Sequence, residues 1–245
     1  MLIAGVDLAA EPKGTALALI DWSEGAANLV HLQLGATDEH IIDASKETHK
    51  IGIDCALGWP IEFVQFVVEH SQPTPSTNPI DGGIDWRRRM AYRETDRQVR
   101  EITGRWPLSV STDRLGLTAM RCAGLLSKMQ QGGLEVDRSG AGRVVEIYPG
   151  ASLRLWGFET AGYRASPDRR AELLSELQAQ APWFALANFA ELMIESCDAF
   201  DAVIAAFAAR SAALGHYQKP TQAQLPGAQI EGWVALPAKP LRALI

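Results

Sequence analysis

Met1–Leu19, MLIAGVDLAAEPKGTALAL, reads as a strand, a tight turn and a second strand, with one carboxylate set into the first. Leu2, Ile3, Val6 and Leu8 form a nearly unbroken apolar run of the kind found in strands buried on both faces. Glu11-Pro12-Lys13-Gly14 supplies turn chemistry, and Thr15–Ile20 resumes the apolar pattern. An ionised carboxylate inside such a strand is costly unless it is paired or bound to a cation, so Asp7 needs a partner. Two readings stand: Asp7 accepts hydrogen bonds from backbone amides of the following turn, or it is a metal ligand at the end of a sheet.

The pattern recurs. Leu29–Leu34 alternates loosely as a third strand, so the first thirty-odd residues predict an antiparallel meander. After a short connecting helix within Ala36–Lys50, the run KIGIDC ending at Cys55 is a strand with one acid, Asp54, near its end. Pro60 then starts a helix to about His70. Arg143–Tyr148, RVVEIY, is a further apolar strand carrying Glu146. Cys197–Leu214, CDAFDAVIAAFAARSAAL, is the clearest helix, apolar on most faces and expected against the sheet. It opens with Asp198 and Asp201, whose spacing of three puts both carboxylates on one side near the positive end of the helix dipole. Asp198 alone reads as an N-cap; a cap does not account for Asp201. Gln218–Gly227 reads as turn, and Gly232–Leu236 as a last short strand.

Strands alternating with helices after an initial meander indicate an α/β fold, a mixed sheet with helices packed on its faces. No repeat or linker divides the 245 residues, so the chain is expected to be one domain, 1–245, with an inserted loop and helices at about 71–140. Within that insertion, Ser71–Asp85 is rich in Pro, Ser, Thr, Asn and Gly and reads as a mobile loop, an inert excursion or a lid over the cleft. From Trp86 a helix is expected with Arg89, Arg93, Arg97 and Arg100 on one face. That face is either a phosphate-binding surface or a solvated ion-pair face shared with Glu94, Asp96 and Glu101.

Composition narrows the function classes. The net charge of -6 argues against tight, nonspecific binding to duplex nucleic acid. The three cysteines lack paired spacing, which supports neither a disulfide framework nor a structural zinc site, and the five histidines are scattered. No apolar stretch approaches the roughly 18 residues of a membrane span, and no signal-peptide start precedes the first strand; a cytoplasmic location without membrane association is expected. Phosphate-loop, dinucleotide-fold, zinc-protease and serine-nucleophile motifs are absent. No feature specifies an oligomeric state. If Asp7, Asp54, Glu146, Asp198 and Asp201 converge, their mutual repulsion is relieved by divalent cations, and an all-carboxylate set suits Mg²⁺ or Mn²⁺. Two such ions about 3.5 to 4 Å apart activate water and stabilise the leaving oxygen of a phosphodiester.

GVDLA at Asp7, IDCALGWP at Asp54, YRETD at Tyr92–Asp96, VVEIYPG at Glu146, CDAFDAVIAA at Asp198 and EGWVALP near the end together resemble the family catalogued as domain of unknown function 429. The family is described as predicted nucleases of the ribonuclease H-like fold. The resemblance covers nearly the whole chain and implies three antiparallel strands followed by parallel ones, with helices on both faces, and a carboxylate metal site. The Asp-x-x-Asp-Ala at Asp198–Ala202 is similar to the ending of the Holliday-junction resolvase branch. Carried over, that similarity implies Asp7, Asp54, Asp198 and Asp201 as metal ligands; Asp54 is shorter than the Glu typical there. Glu146 has no counterpart and stands as an extra ligand, a base or a structural residue.

The resulting expectation is a divalent-metal-dependent nuclease acting on a structured or small nucleic-acid substrate, with Arg93, Arg97 and Lys13 as candidate phosphate contacts. Two rivals accompany it: an ATP-dependent phosphotransferase of the related actin and sugar-kinase fold, and a non-catalytic binding module with a degenerate site.

Overall fold

The computed structural model describes residues 1–73 and 82–245. In chain order these form β1 (Leu2–Asp7), β2 (Ala16–Ser23), β3 (Ala26–Leu34), α1 (Asp38–Glu47), β4 (Lys50–Asp54), α2 (Ile61–His70), α3 (Gly83–Ala91), α4 (Glu94–Thr103) and α5 (Gly116–Gln131). They continue with β5 (Val144–Glu146), α6 (Pro149–Leu155), α7 (Pro167–Gln180), β6 (Phe184–Ala185), α8 (Ala190–Glu195), α9 (Cys197–Ala213) and α10 (Leu225–Glu231). The strands make one six-stranded mixed sheet in the order β5-β4-β1-β2-β3-β6. β2 pairs antiparallel with β1 on one side and with β3 on the other, whereas β4 runs parallel to β1, and β5 parallel to β4. This is the expected α/β architecture, consistent with a ribonuclease H-like fold.

The sheet is covered on both faces because its side chains alternate. Ala4, Val6, Leu8, Ile51 and Ile53 face the layer containing Ile41 of α1 and Cys122, Leu125 and Leu126 of α5. Ile3, Ala18, Ile20 and Val145 face α9, whose residues from Ala199 to Ala209 are all buried. Gly5 and Gly52 explain how close α9 lies. A Cβ on Gly5 would stand 2.1 Å from the Ala202 carbonyl oxygen, and one on Gly52 would stand 2.8 Å from that of Ala205. The same alternation puts Asp7 and Asp54, each two residues beyond one of these glycines, on the α9 side.

Several local expectations change. The helix expected from Trp86 is two helices: α3 stops at Ala91, Tyr92 is extended, and α4 begins after Arg93. The four arginines therefore do not share one continuous face. The expected last strand is reduced to a single bridge between Val234 and Glu146, because the Val234 N–H donates to Thr95 Oγ1 at 2.8 Å. Part of the stretch read as turn forms α10, and the short elements β6 and α8 carry too little periodicity to stand out in the sequence. Of the candidate lid, residues 74–81 lie outside the described residues.

Candidate functional site

Parallel pairing of β1 with β4 places Asp7 directly beside Asp54 at the ends of the two strands. The first turn of α9 is anchored over this point. Ser196 caps it, its side chain accepting from the Ala199 N–H at 3.2 Å. Asp198 is thus not the cap but a half-buried residue of the first turn, while Asp201, one turn further, is buried against the sheet. Asp7, Asp54, Asp198 and Asp201 all line one cavity of about 430 Å³. Leu8, Ala56, Pro107, Leu108 and Leu115 give it an apolar wall.

Asp201 is the best-held member. Tyr163 donates its hydroxyl to Asp201 Oδ1 at 2.9 Å, the Cys197 thiol lies 3.7 Å from Oδ2, and Arg164 Nη2 is 3.2 Å from the same oxygen. Arg164 also reaches to 4.0 Å from Asp54 Oδ2. Asp201 and Asp54 thus share one guanidinium, and the acidities of Asp7, Asp54 and Asp201 reflect the crowding. Burial, followed by the charges of Asp54, Asp201 and Asp198, pushes the Asp7 carboxyl up to about 9, against the pull of Arg164. Burial and Asp201 push Asp54 up to about 8. Burial raises Asp201 as well, opposed by Arg164 and by the hydrogen bonds from Tyr163 and Cys197. Burial and Asp201 push the Cys197 thiol up to about 12, so it stays protonated at neutral pH and is not a thiolate nucleophile.

Glu146, Arg93 and Asp96 also line the cavity, but they are bound to one another in a separate buried network. Glu146 pairs in register with Ile53, which places it on the opposite sheet face from Asp54. There it receives Arg93 Nη1 at 2.8 Å and Nη2 at 2.7 Å, and the Leu57 N–H at 3.0 Å. Arg93 also donates Nε and Nη2 to Asp96, and Nη1 to the Glu231 carbonyl. All five guanidinium N–H groups are thereby used inside a buried network, leaving none for a phosphate. The phosphate-contact expectation for Arg93 is corrected accordingly. Arg97 is partly exposed but paired with Glu94 and the Tyr92 carbonyl. Lys13 is exposed in the turn after β1, and neither it nor Arg97 lines the cavity.

Glu231 completes this network in a way the sequence did not announce. Its carboxylate accepts from the Ile61 N–H at 2.8 Å and from the Glu94 N–H at 2.9 Å, capping the starts of α2 and α4. Gly232, at φ +91, lets the chain pass Glu146: a Cβ there would stand 2.7 Å from Glu146 Oε2. The YRETD, VVEIYPG and EGWVALP blocks thus meet in one structural knot beside the acidic cavity.

A family model described as "Protein of unknown function (DUF429)" matches residues 5–225. The chain belongs to the DUF429 family. The match takes in Asp7, Asp54, Glu146, Asp198 and Asp201, and with them both the acidic cavity and the Arg93 pairs. No curated protein and no solved structure matches the chain.

In this DUF429 member most candidate ligands at the cavity are carboxylate oxygens, the chemistry that suits Mg²⁺ or Mn²⁺, with the Cys55 and Cys197 thiols also in the lining. As the side chains stand, among the described residues no three His, Cys, Asp or Glu close around a common point as a metal group. Arg164 rests on the Asp201 oxygen that a cation would use. No helix among the described residues is long and apolar enough to cross a membrane.

Proposed function

We propose that this DUF429 protein is a Mg²⁺- or Mn²⁺-dependent phosphodiesterase acting on nucleic acid in the cytoplasm. The observation that carries the reading is the convergence of Asp7, Asp54, Asp198 and Asp201 on one cavity, an acid cluster so crowded that Asp7 and Asp54 are pushed toward holding protons that a bound cation would replace. An anionic substrate has no reason to enter such a cavity until further positive charge is bound there. Asp7 and Asp54 on adjacent strands, with Asp201 and Asp198 from α9, would hold the cation. Bound there, Mg²⁺ or Mn²⁺ supplies Lewis acidity that eases deprotonation of the attacking water and offsets charge on the leaving oxygen.

The chain itself supplies position. Tyr163 fixes the orientation of Asp201 through its hydroxyl. The Gly5 and Gly52 contacts set α9 at a fixed height over the strand ends, so the carboxylates on either side keep a constant separation. The Arg93 knot holds Leu57 beside the end of β4, and so braces the loop that follows Asp54. A cavity of about 430 Å³ admits a nucleotide-sized unit, not an intact duplex, which favours a structured or small substrate that can present one residue.

The test is cleavage of labelled single-stranded, branched and duplex oligonucleotides by purified protein with Mn²⁺. Cleavage is expected with Mn²⁺, lost on chelation, and lost in Asp7→Asn and Asp201→Asn. Cleavage that survives chelation or survives Asp7→Asn in clean protein would overturn the proposal.

A further inference from the structure

Arg164 is the partly exposed cation lining the cavity, where Arg93 is buried among its own carboxylates. Its side chain is 56% exposed, yet Nη2 lies 3.2 Å from Asp201 Oδ2 and Nε donates to the Tyr163 hydroxyl at 3.2 Å. The side chain is open to solvent, while the backbone that carries it is held. Buried Arg170 clamps the backbone, donating Nη1 to the carbonyls of Tyr163 and Arg164 at 2.8 and 3.2 Å. The same guanidinium donates Nε to the Ile194 carbonyl and Nη2 to that of Glu195, immediately ahead of α9. The loop carrying Arg164 is therefore tied to the segment that leads into Asp198 and Asp201.

A guanidinium and a divalent cation cannot both take the Asp201 oxygen at close range without strong mutual repulsion. From this we infer that Arg164 is an internal counter-cation that exchanges with the divalent ion and, once displaced, binds the substrate's phosphate. This deepens the metal-dependent reading above and rests on it. In the metal-free protein Arg164 pairs with Asp201 and approaches Asp54, limiting the repulsion among the carboxylates. With the cation bound, the pair opens. The planar fork, still anchored at the cavity edge by Arg170, then matches two phosphate oxygens as an ammonium could not. Tyr163 keeps its own bond to Asp201 Oδ1 throughout, so the carboxylate does not turn away when Arg164 leaves.

Linkage gives the inference an unusual signature, because the two ligands respond to loss of Arg164 in opposite directions. Mn²⁺ binding is measured calorimetrically on metal-free wild type, Arg164→Gln and Arg164→Lys, and inorganic phosphate binding on the Mn²⁺-saturated forms. Arg164→Gln is expected to bind Mn²⁺ about fivefold or more tightly than wild type, and to bind phosphate about tenfold more weakly. Arg164→Lys should keep the weaker metal binding without restoring phosphate affinity. Thermal melts of all three proteins check the fold, and the substitution at this partly exposed site is expected to leave Tm unchanged. If wild type binds Mn²⁺ and Arg164→Gln binds it equally or more weakly, the exchange is wrong while the metal site stands. Unchanged phosphate affinity in Arg164→Gln overturns the phosphate contact. If neither protein binds Mn²⁺, the metal reading falls and the exchange falls with it.

Discussion

Replacing Asp7 with Asn should stabilise the metal-free protein, by an amount that grows with pH. Burial and its acidic neighbours move the Asp7 carboxyl from the ordinary 3.8 to about 9, and Asp54 rises to about 8. Between the unfolded and folded values, the folded chain keeps a proton that the unfolded chain releases. The stability associated with that proton is complete below about pH 4 and is lost steadily as pH rises toward about 9. Each pH unit of the window is worth about 1.4 kcal/mol per proton, so from pH 4 to pH 7 the ceiling is about 4 kcal/mol for Asp7. Water entering the open cavity and rearrangement of Arg164 reduce this, and a gain of about 1–3 kcal/mol at pH 7 is the working figure. For a chain of this size each kcal/mol moves Tm by about 2–4 °C. Urea unfolding of chelator-treated wild type and Asp7→Asn at pH 5, 6, 7 and 8 measures it directly. The two curves should converge toward acid and separate toward pH 8. A difference that is constant from pH 5 to pH 8, or an Asn variant less stable than wild type at pH 8, would refute the assignment of Asp7 to a crowded acidic cavity. Saturating Mn²⁺ should reverse the order, because a ligand bound only by folded wild type adds to its stability.

The other predictions concern what holds the cavity in place. Arg93→Met strands Asp96 and Glu146 in the interior without their shared partner and should cost about 3–5 kcal/mol, read as a lower urea midpoint; a loss under about 1 kcal/mol would mean the knot is dispensable. Gly5→Ala drives a methyl against the α9 backbone at Ala202 and Ala206, where no side chain can yield. It should cost about 3 kcal/mol or more and lower Tm by about 6 °C or more; an unchanged melting curve would contradict the close sheet-helix contact.

Much of this was legible in the chain. The apolar runs around Asp7 and Asp54 each span a strand with one dominant pattern, and their order gave the meander and the parallel strand beside it. The acid pair at Asp198 and Asp201 marked the helix that covers them. The sequence also held an unread signal, since Gly5-x-Asp7 and Gly52-x-Asp54 put a glycine and an acid on the same strand face. The spacing of four through Arg89, Arg93 and Arg97 imitates a helix continuity that the chain breaks at Tyr92 and Arg93. The Asp96 carboxylate, which accepts from the Arg93 N–H at 2.9 Å, marks a helix start there instead. Tyr163 and Arg164 could not be found locally: they lie in a loop without periodicity, and their partner Asp201 is almost forty residues away, brought close only by the tertiary fold. Glu231 escaped for the same reason, its two capping bonds reaching back to Ile61 and Glu94.

The central claim is that the ends of β1 and β4 and the first turn of α9 form a divalent-cation site. Anomalous diffraction from crystals soaked in millimolar Mn²⁺ tests it without a substrate. The account predicts a manganese peak about 2.1 Å from carboxylate oxygens of Asp7 and of Asp54 or Asp201, with Arg164 withdrawn from Asp201. A map with no peak at that end of the sheet, or with Mn²⁺ bound elsewhere and the Arg164–Asp201 pair intact, would contradict it.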